Sequence, residues 1–372
     1  MQLSNEDNLR LNVLMSQDLK AVRIDESKLV VHALTARGEV RVKLNPTCGD
    51  DKYVRLVKEL LSNKIMGSPG GYPVYIKRWT RMGQERREES LAQLLLLGEP
   101  EAVVAVVHAP VLSAQLARYA WWSLPSTQNA RKLLEKPEVV ASDLARELVE
   151  FLLEFLPFEE DHRDMIESAR LCLQPGLLSD DEVVDLWARS KRKQSIYVGF
   201  LHTRPDDLPE TSVANPVLEQ HRQNLEPLVA SGNPYALQLQ RYLSAAGQAF
   251  LKTVLRVIDK GATQETVVAL FQALARYHES VPLAQCKRRT FEEAEMVADA
   301  WLDAPKDAQL AQCIDALPGL DEEIRALLIL GQMGEITLFP IFGVTDAMGS
   351  VMRKRLRPLT DPMQQQINHL LA

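Results

Sequence analysis

The chain has 372 residues, longer than the roughly 250–300 that a single hydrophobic core organises, so two or three structural units are expected. Its 46% hydrophobic and 25% charged residues exclude disorder as the default state. A net charge of −7 and a pI near 5.6 exclude the broad basic field that non-specific nucleic-acid binding needs.

The first fourteen residues carry Glu6, Asp7 and Arg10 and no apolar run, which predicts no secretory signal. Leu11, Leu14, Met15, Leu19 and Val22 read as one helical stripe. Residues 29–34 and 40–44 read as strands of a hairpin turning at 36–39, and Val54, Val57, Leu60 and Leu61 as a further helix. A glycine-rich break at 67–71 precedes a predicted third strand over 72–79. Residues 1–80 are therefore predicted to form a small α/β unit.

The most apolar stretch, 91–112, contains Glu99, Pro100, Glu101 and His108, whereas a bilayer span needs about 20 residues almost free of such groups. It reads as core, with His108 as an interior histidine, and no membrane partner is expected. After a polar, charged run at 81–90, the pattern from Leu91 onward is helical, broken by Pro or Gly every ~15–20 residues. Val140, Leu144, Leu148, Phe151, Leu152, Phe155 and Leu156 share one face, with Ser142 or Asp143 as cap and Pro157 as stop.

Such helices must bury their stripes on neighbours. The prediction is a mainly α fold: a HEAT-like α-solenoid or irregular stacked helix pairs, behind the small N-terminal α/β unit with its β-hairpin. The helical domains are placed at 85–203 and 215–372, with 203–216, rich in Pro and acids, as linker.

In the second helical domain, Asn215-Pro216 and Asn233-Pro234 predict helix starts. One long helix is predicted from Tyr235 through Leu239, Tyr242, Ala246, Phe250, Val254 and Val257 to Gly261. Thr290 with Glu293 predicts a capping box. Residues 335–344 fit a buried connector, a broken helix or an edge strand, and two short helices are predicted near 347–357 and 362–371.

The chain carries no local catalytic signature. The loop at 67–71 follows a helix and lacks the Lys-Ser/Thr pair of a phosphate cradle. The Glu159-x-x-His162 spacing has no second copy, as a di-iron bundle requires, and fits a solvated helix start. His278 suits the end of its helix through the macrodipole. No nucleophile elbow or zincin motif occurs. The expectation is no catalytic, cofactor-binding or metal-ligating residue, and no cofactor.

Two features keep functional content. Cys48, Cys172, Cys286 and Cys313 are widely spaced, as in a reducing cytoplasm. Cys286 precedes Lys287-Arg288-Arg289, cations that would favour a reactive thiolate. Tyr75, Lys77, Trp79 and Arg81 alternate onto one strand face, an aromatic-basic stripe suited to RNA bases or to a protein partner. Basic runs at 189–193 and 353–357 could extend that surface, and Trp121-Trp122 is a further candidate contact.

The segments GSPGGYPVYIKRWTRMGQ (67–84), LLLLGEPEAVVAVVHAP (94–110) and ARYAWWSLP (117–125) resemble the sulfur-reduction protein DsrS family, and the likeness in length and segment order covers essentially the whole chain. Members are encoded beside the reverse-acting dissimilatory sulfite reductase machinery of sulfur-oxidising bacteria. The family has no established catalytic motif to carry over. The resemblance implies a cytoplasmic accessory or regulatory protein of sulfur oxidation, with protein partners from that system and RNA as a further partner class. The alternative is a sulfur-handling protein that uses Cys286 as a persulfide carrier.

Overall fold

A computed structural model describes residues 2–67, 88–285, 287–288, 290–343 and 347–371. They form a mainly helical protein with one small N-terminal antiparallel sheet. Contacts divide the chain into two units, Met1–Phe155 and Leu156–Ala372. The sheet shares the first unit with the helices that follow it, and residues 203–216 lie inside the second.

In the first unit, helix α1 (Asn5–Met15) starts at Ser4, whose hydroxyl accepts from the Asp7 amide. Strands β1 (Leu19–Asp25), β2 (Val30–Thr35) and β3 (Gly38–Lys43) follow, in the order β1-β2-β3. The hairpin closes with Thr35 opposite Gly38, whose φ of 118° an L side chain rarely adopts. Val22, Val31 and Ala33 bury one sheet face against Leu11, Leu14 and helix α2 (Asp50–Met66), through Tyr53, Val57 and Leu61.

The expected helical stripe from Leu11 to Val22 is corrected here. Helix α1 stops at Met15, and Leu19 and Val22 belong to β1. A bulge between Leu19 and Ala21 buries the adjacent residues Ala21 and Val22, which erases the period-2 signature of a strand. The strand predicted over 72–79 lies outside the described residues.

Among the described residues of the unit there follow α3 (Glu88–Leu94), α4 (Pro100–Val107), α5 (Ala114–Ser123), α6 (Thr127–Leu134), α7 (Pro137–Val140) and α8 (Leu144–Phe155). The helix predicted across 140–156 is split, because Ser142 donates its hydroxyl back to Val139 O instead of capping α8. His108, expected inside, is exposed at the end of α4. Trp121 is core, donating to Glu147 at 2.7 Å and meeting Phe151 edge-on, while Trp122 lies half-buried under the Arg23 guanidinium.

The second unit begins with α9 (His162–Cys172), α10 (Asp180–Ser190) and α11 (Gln194–Thr203). After residues 204–215 come α12 (Pro216–Gln220), α13 (Arg222–Ala230), α14 (Pro234–Leu243), α15 (Ala245–Lys260) and α16 (Gln264–Tyr277). The chain continues through α17 (Phe291–Asp303), α18 (Ala308–Ala316), α19 (Asp321–Gly331), α20 (Phe339–Phe342) and α21 (Gly349–Leu370).

The non-helical segment 204–215 is tied down by side chains. Arg241 forks onto Asp206, Arg256 forks onto Glu210 at 2.8 and 2.9 Å, and Asn215 Nδ2 donates to Leu370 O. Arg241 also lies 3.6 Å above the Tyr277 ring, on which Phe250 stacks at 3.8 Å.

The long helix predicted from Tyr235 to Gly261 is two helices meeting at Ser244, which leaves helical φ/ψ and caps α15 by accepting from the Gly247 amide. The joint is tight: a Cβ on Gly247 would stand 1.9 Å from Arg241 O. At the C-terminus, the two predicted short helices are one. Helix α21 runs through Pro358 and Pro362, because Met352, Leu356, Leu359, Met363, Ile367 and Leu370 form an uninterrupted buried stripe against α15 and α19. That burial offsets the roughly 3 kcal/mol an interior proline costs. Residues 335–342 take the broken-helix form, a 3-10 turn at Glu335–Leu338 followed by α20.

Among the described residues no single helix is long and apolar enough to cross a membrane; the pair 321–331 and 335–342 passes such a test only together and is bent by 81°.

Candidate functional site

Cys286, Tyr75, Lys77, Trp79 and Arg81 all lie outside the described residues. The two cations after Cys286 that are described have local work. Lys287 Nζ donates to Gly331 O at 2.6 Å, and Arg288 donates to Gln332 through both its amide and its Nε at 3.1 Å. Thr337 Oγ1 returns a bond to Arg288 O. Together they satisfy carbonyls at the end of α19 that a helix leaves without partners. Burial brings the Lys287 ammonium down to about 8.

The Glu159-x-x-His162 spacing does not put both side chains on a helix. Asp161 caps α9, accepting from the Arg163 and Asp164 amides, and His162 is the first helical residue. His162 instead joins a chain of hydroxyls. Its Nδ1 is 2.7 Å from Ser195 Oγ, which is 3.0 Å from Thr266 Oγ1, which is 3.1 Å from Thr263 Oγ1. The contact has the geometry of a nucleophile and its base. Ser195, however, is 1% exposed, and its second neighbour is a hydroxyl and not a cleft. The chain cross-ties α9, α11 and α16 inside the unit. Sequence reading had no signal for it, since the partners are 33 and 71 residues apart.

Above this tie the same three helices frame an open groove of about 670 Å³. Helix α9 lends Arg163, Glu167 and Arg170, α11 lends His202, and α16 lends Gln264, Glu265, Gln272 and Arg276, with Glu335 at one end. Each of these helices buries another face, through Met165, Phe200, Val267 and Leu270 among others, which leaves the long polar side chains on the groove. Arg170 forks onto Glu167, and Gln272 donates to Glu335 at 2.9 Å. Arg163 and Arg276 are exposed and form no ion pair among the described residues.

His202 holds the groove wall. Its Nε2 donates to Ala269 O at 2.8 Å, and its Nδ1 is buried with no hydrogen-bond partner among the described residues. Burial, opposed by the Ala269 bond and reinforced by Arg276 and Arg170, lowers its pKa, so the ring is neutral near pH 7 and Nδ1 is an acceptor. The groove therefore exposes two guanidiniums that form no ion pair among the described residues, beside a set of carboxylates, with the neutral His202 ring in its wall.

His278, expected to serve the helix end as a cation, does not. It is fully buried, its Nδ1 donates to Leu274 O at 2.7 Å and its Nε2 accepts from the Tyr242 hydroxyl. Burial takes its pKa down to about 3, so it is a neutral core residue. Of the basic run 189–193, Lys193 donates to Pro157 O and Glu159 O and acts as a structural clasp.

The fold and groove define a helical scaffold with an open polar surface. No protein-family model, curated protein or solved structure matches the chain.

Proposed function

We propose that this protein is a non-enzymatic accessory or regulatory interaction protein of cytoplasmic dissimilatory sulfur oxidation, binding a protein partner of that system. The pathway rests on the resemblance of 67–84, 94–110 and 117–125 to the DsrS family. One observation carries the mode of action: the open groove across α9, α11 and α16 exposes Arg163 and Arg276 without ion pairs among the described residues. Stacked helices present such surfaces to extended partners, and guanidiniums left unpaired in a groove are suited to carboxylates.

The test is affinity capture from a sulfur-oxidising cytosol, comparing wild type with Arg163→Glu/Arg276→Glu. A specific protein captured by wild type and lost with the folded double variant supports the reading. Recovery of no specific protein, or recovery of RNA alone, removes it.

A further inference from the structure

Several exposed arginines of the chain pair with a carboxylate one helical turn away: Arg10 with Glu6, Arg55 with Glu59, Arg146 with Glu150, and Arg222 with Glu219 and Glu226. In the second and third turns of α21, Arg353, Lys354, Arg355 and Arg357 stand close together, and the first acid of the helix, Asp361, lies one turn beyond Arg357. Arg353 has a structural task, donating to Gly261 O at 3.1 Å. Lys354, Arg355 and Arg357 are exposed and form no ion pair among the described residues.

The start of the helix also exposes apolar side chains: Met348, at the N-cap, and Val351 are 63% and 55% exposed. The stripe from Met352 to Leu370 is buried inside the unit. Exposed cations without ion pairs among the described residues, beside exposed apolar side chains, point to a partner outside the fold.

We infer that the N-terminal half of α21 is a docking surface for an acidic segment of a partner protein, whose carboxylates meet Lys354, Arg355 and Arg357 while an apolar side chain covers Met348 and Val351. Charge complementarity names the occupant. Single-stranded RNA would call for aromatic rings to stack on, and residues 347–360 contain none. A bilayer would call for a broad apolar helix face, and that face of α21 is already buried.

This inference rests on the reading that the protein acts through a partner, but it concerns a surface built from other residues than the groove. The full chain is titrated into a short fluorescein-labelled peptide rich in Glu with interspersed Leu, and anisotropy is recorded at two salt concentrations. Expected is saturable binding that weakens with salt and falls by about ten-fold or more in Lys354→Glu/Arg355→Glu/Arg357→Glu at an unchanged circular-dichroism melt. Arg222→Glu, a charge change at an ion-paired exposed arginine, should shift it by less than about two-fold. Equal loss in both variants, or tighter binding to oligouridylate or to phosphatidylglycerol vesicles than to the peptide, overturns the inference. So does a shift of the wild type to a dimer that the triple variant abolishes without any peptide binding. Capture that the groove variant loses and the triple variant retains sinks this surface alone and leaves the proposed function standing.

Discussion

Tyr242 donates its hydroxyl to His278 Nε2, and both side chains are fully buried in the second unit. Burial is the first cause of the low His278 pKa of about 3, with Lys287 and Arg241 adding to it and the Leu274 carbonyl opposing it. An unfolded histidine titrates near 6.5. Between these values the unfolded chain binds a proton that the folded one refuses, so this stability is complete above about 6.5 and is lost as pH falls towards 3. His278→Leu should cost about 1–3 kcal/mol at neutral pH, through the Tyr242 hydroxyl left without its acceptor. The gap between wild type and variant should narrow as pH falls through 5 to about 4, measured by urea unfolding. A gap that does not change with pH contradicts a neutral His278.

Gly247→Ala tests the joint between α14 and α15. The added Cβ would meet Arg241 O at 1.9 Å and Tyr242 O at 2.6 Å, both backbone atoms that cannot swing aside. Helix propensity alone favours alanine by about 1 kcal/mol. The clash wins, so destabilisation of about 3 kcal/mol or more is expected, read as a lowered melting temperature. A stabilised variant would restore the single long helix that the apolar spacing predicts.

That joint also shows what the sequence could and could not reveal. The stripe through Tyr235, Leu239, Tyr242, Phe250, Val254 and Val257 was legible, as were the caps at Asn215, Asn233 and Thr290. The break at Ser244 was not, because the helical period resumes almost in phase after it and Ser and Gly are tolerated in helices. Strand β1 was hidden by its bulge, and the continuity of α21 by two prolines whose cost only tertiary packing offsets. The groove was less legible still. Arg163, His202 and Arg276 come from three helices, and no local spacing links them. Only the basic run at 353–357 could be read directly, since charge runs need no fold to be seen.

Ser195→Ala separates a structural hydroxyl from a nucleophile. Removing the hydroxyl leaves Thr266 and His162 each short of a partner in the interior, so about 1–3 kcal/mol of stability should be lost. A fluorophosphonate probe, which labels activated serines, should leave Ser195 unmodified in the native protein because the side chain is 1% exposed. Native labelling that disappears in the variant would show an access route absent from this structure and would reopen the case for acyl transfer.

Cysteine alkylation tests the alternative that Cys286 carries sulfur. Cys172 and Cys313 are buried, and desolvation pushes both thiols up to about 12, so almost no thiolate exists at neutral pH. Iodoacetamide should modify neither until the protein unfolds, while the half-buried Cys48 reacts slowly in the native state. Cys48 is therefore the internal standard. A persulfide carrier must present a thiolate, so Cys286 has to react about ten-fold faster than Cys48 near pH 7 for that reading to survive. The neighbouring charge is the weak point. The Lys287 ammonium is spent on Gly331 O, and with a pKa of about 8 it is partly neutral in mildly alkaline solution. Peptide-resolved mass spectrometry over a time course reads all four cysteines together, and a Cys286 rate at or below that of Cys48 retires the carrier role.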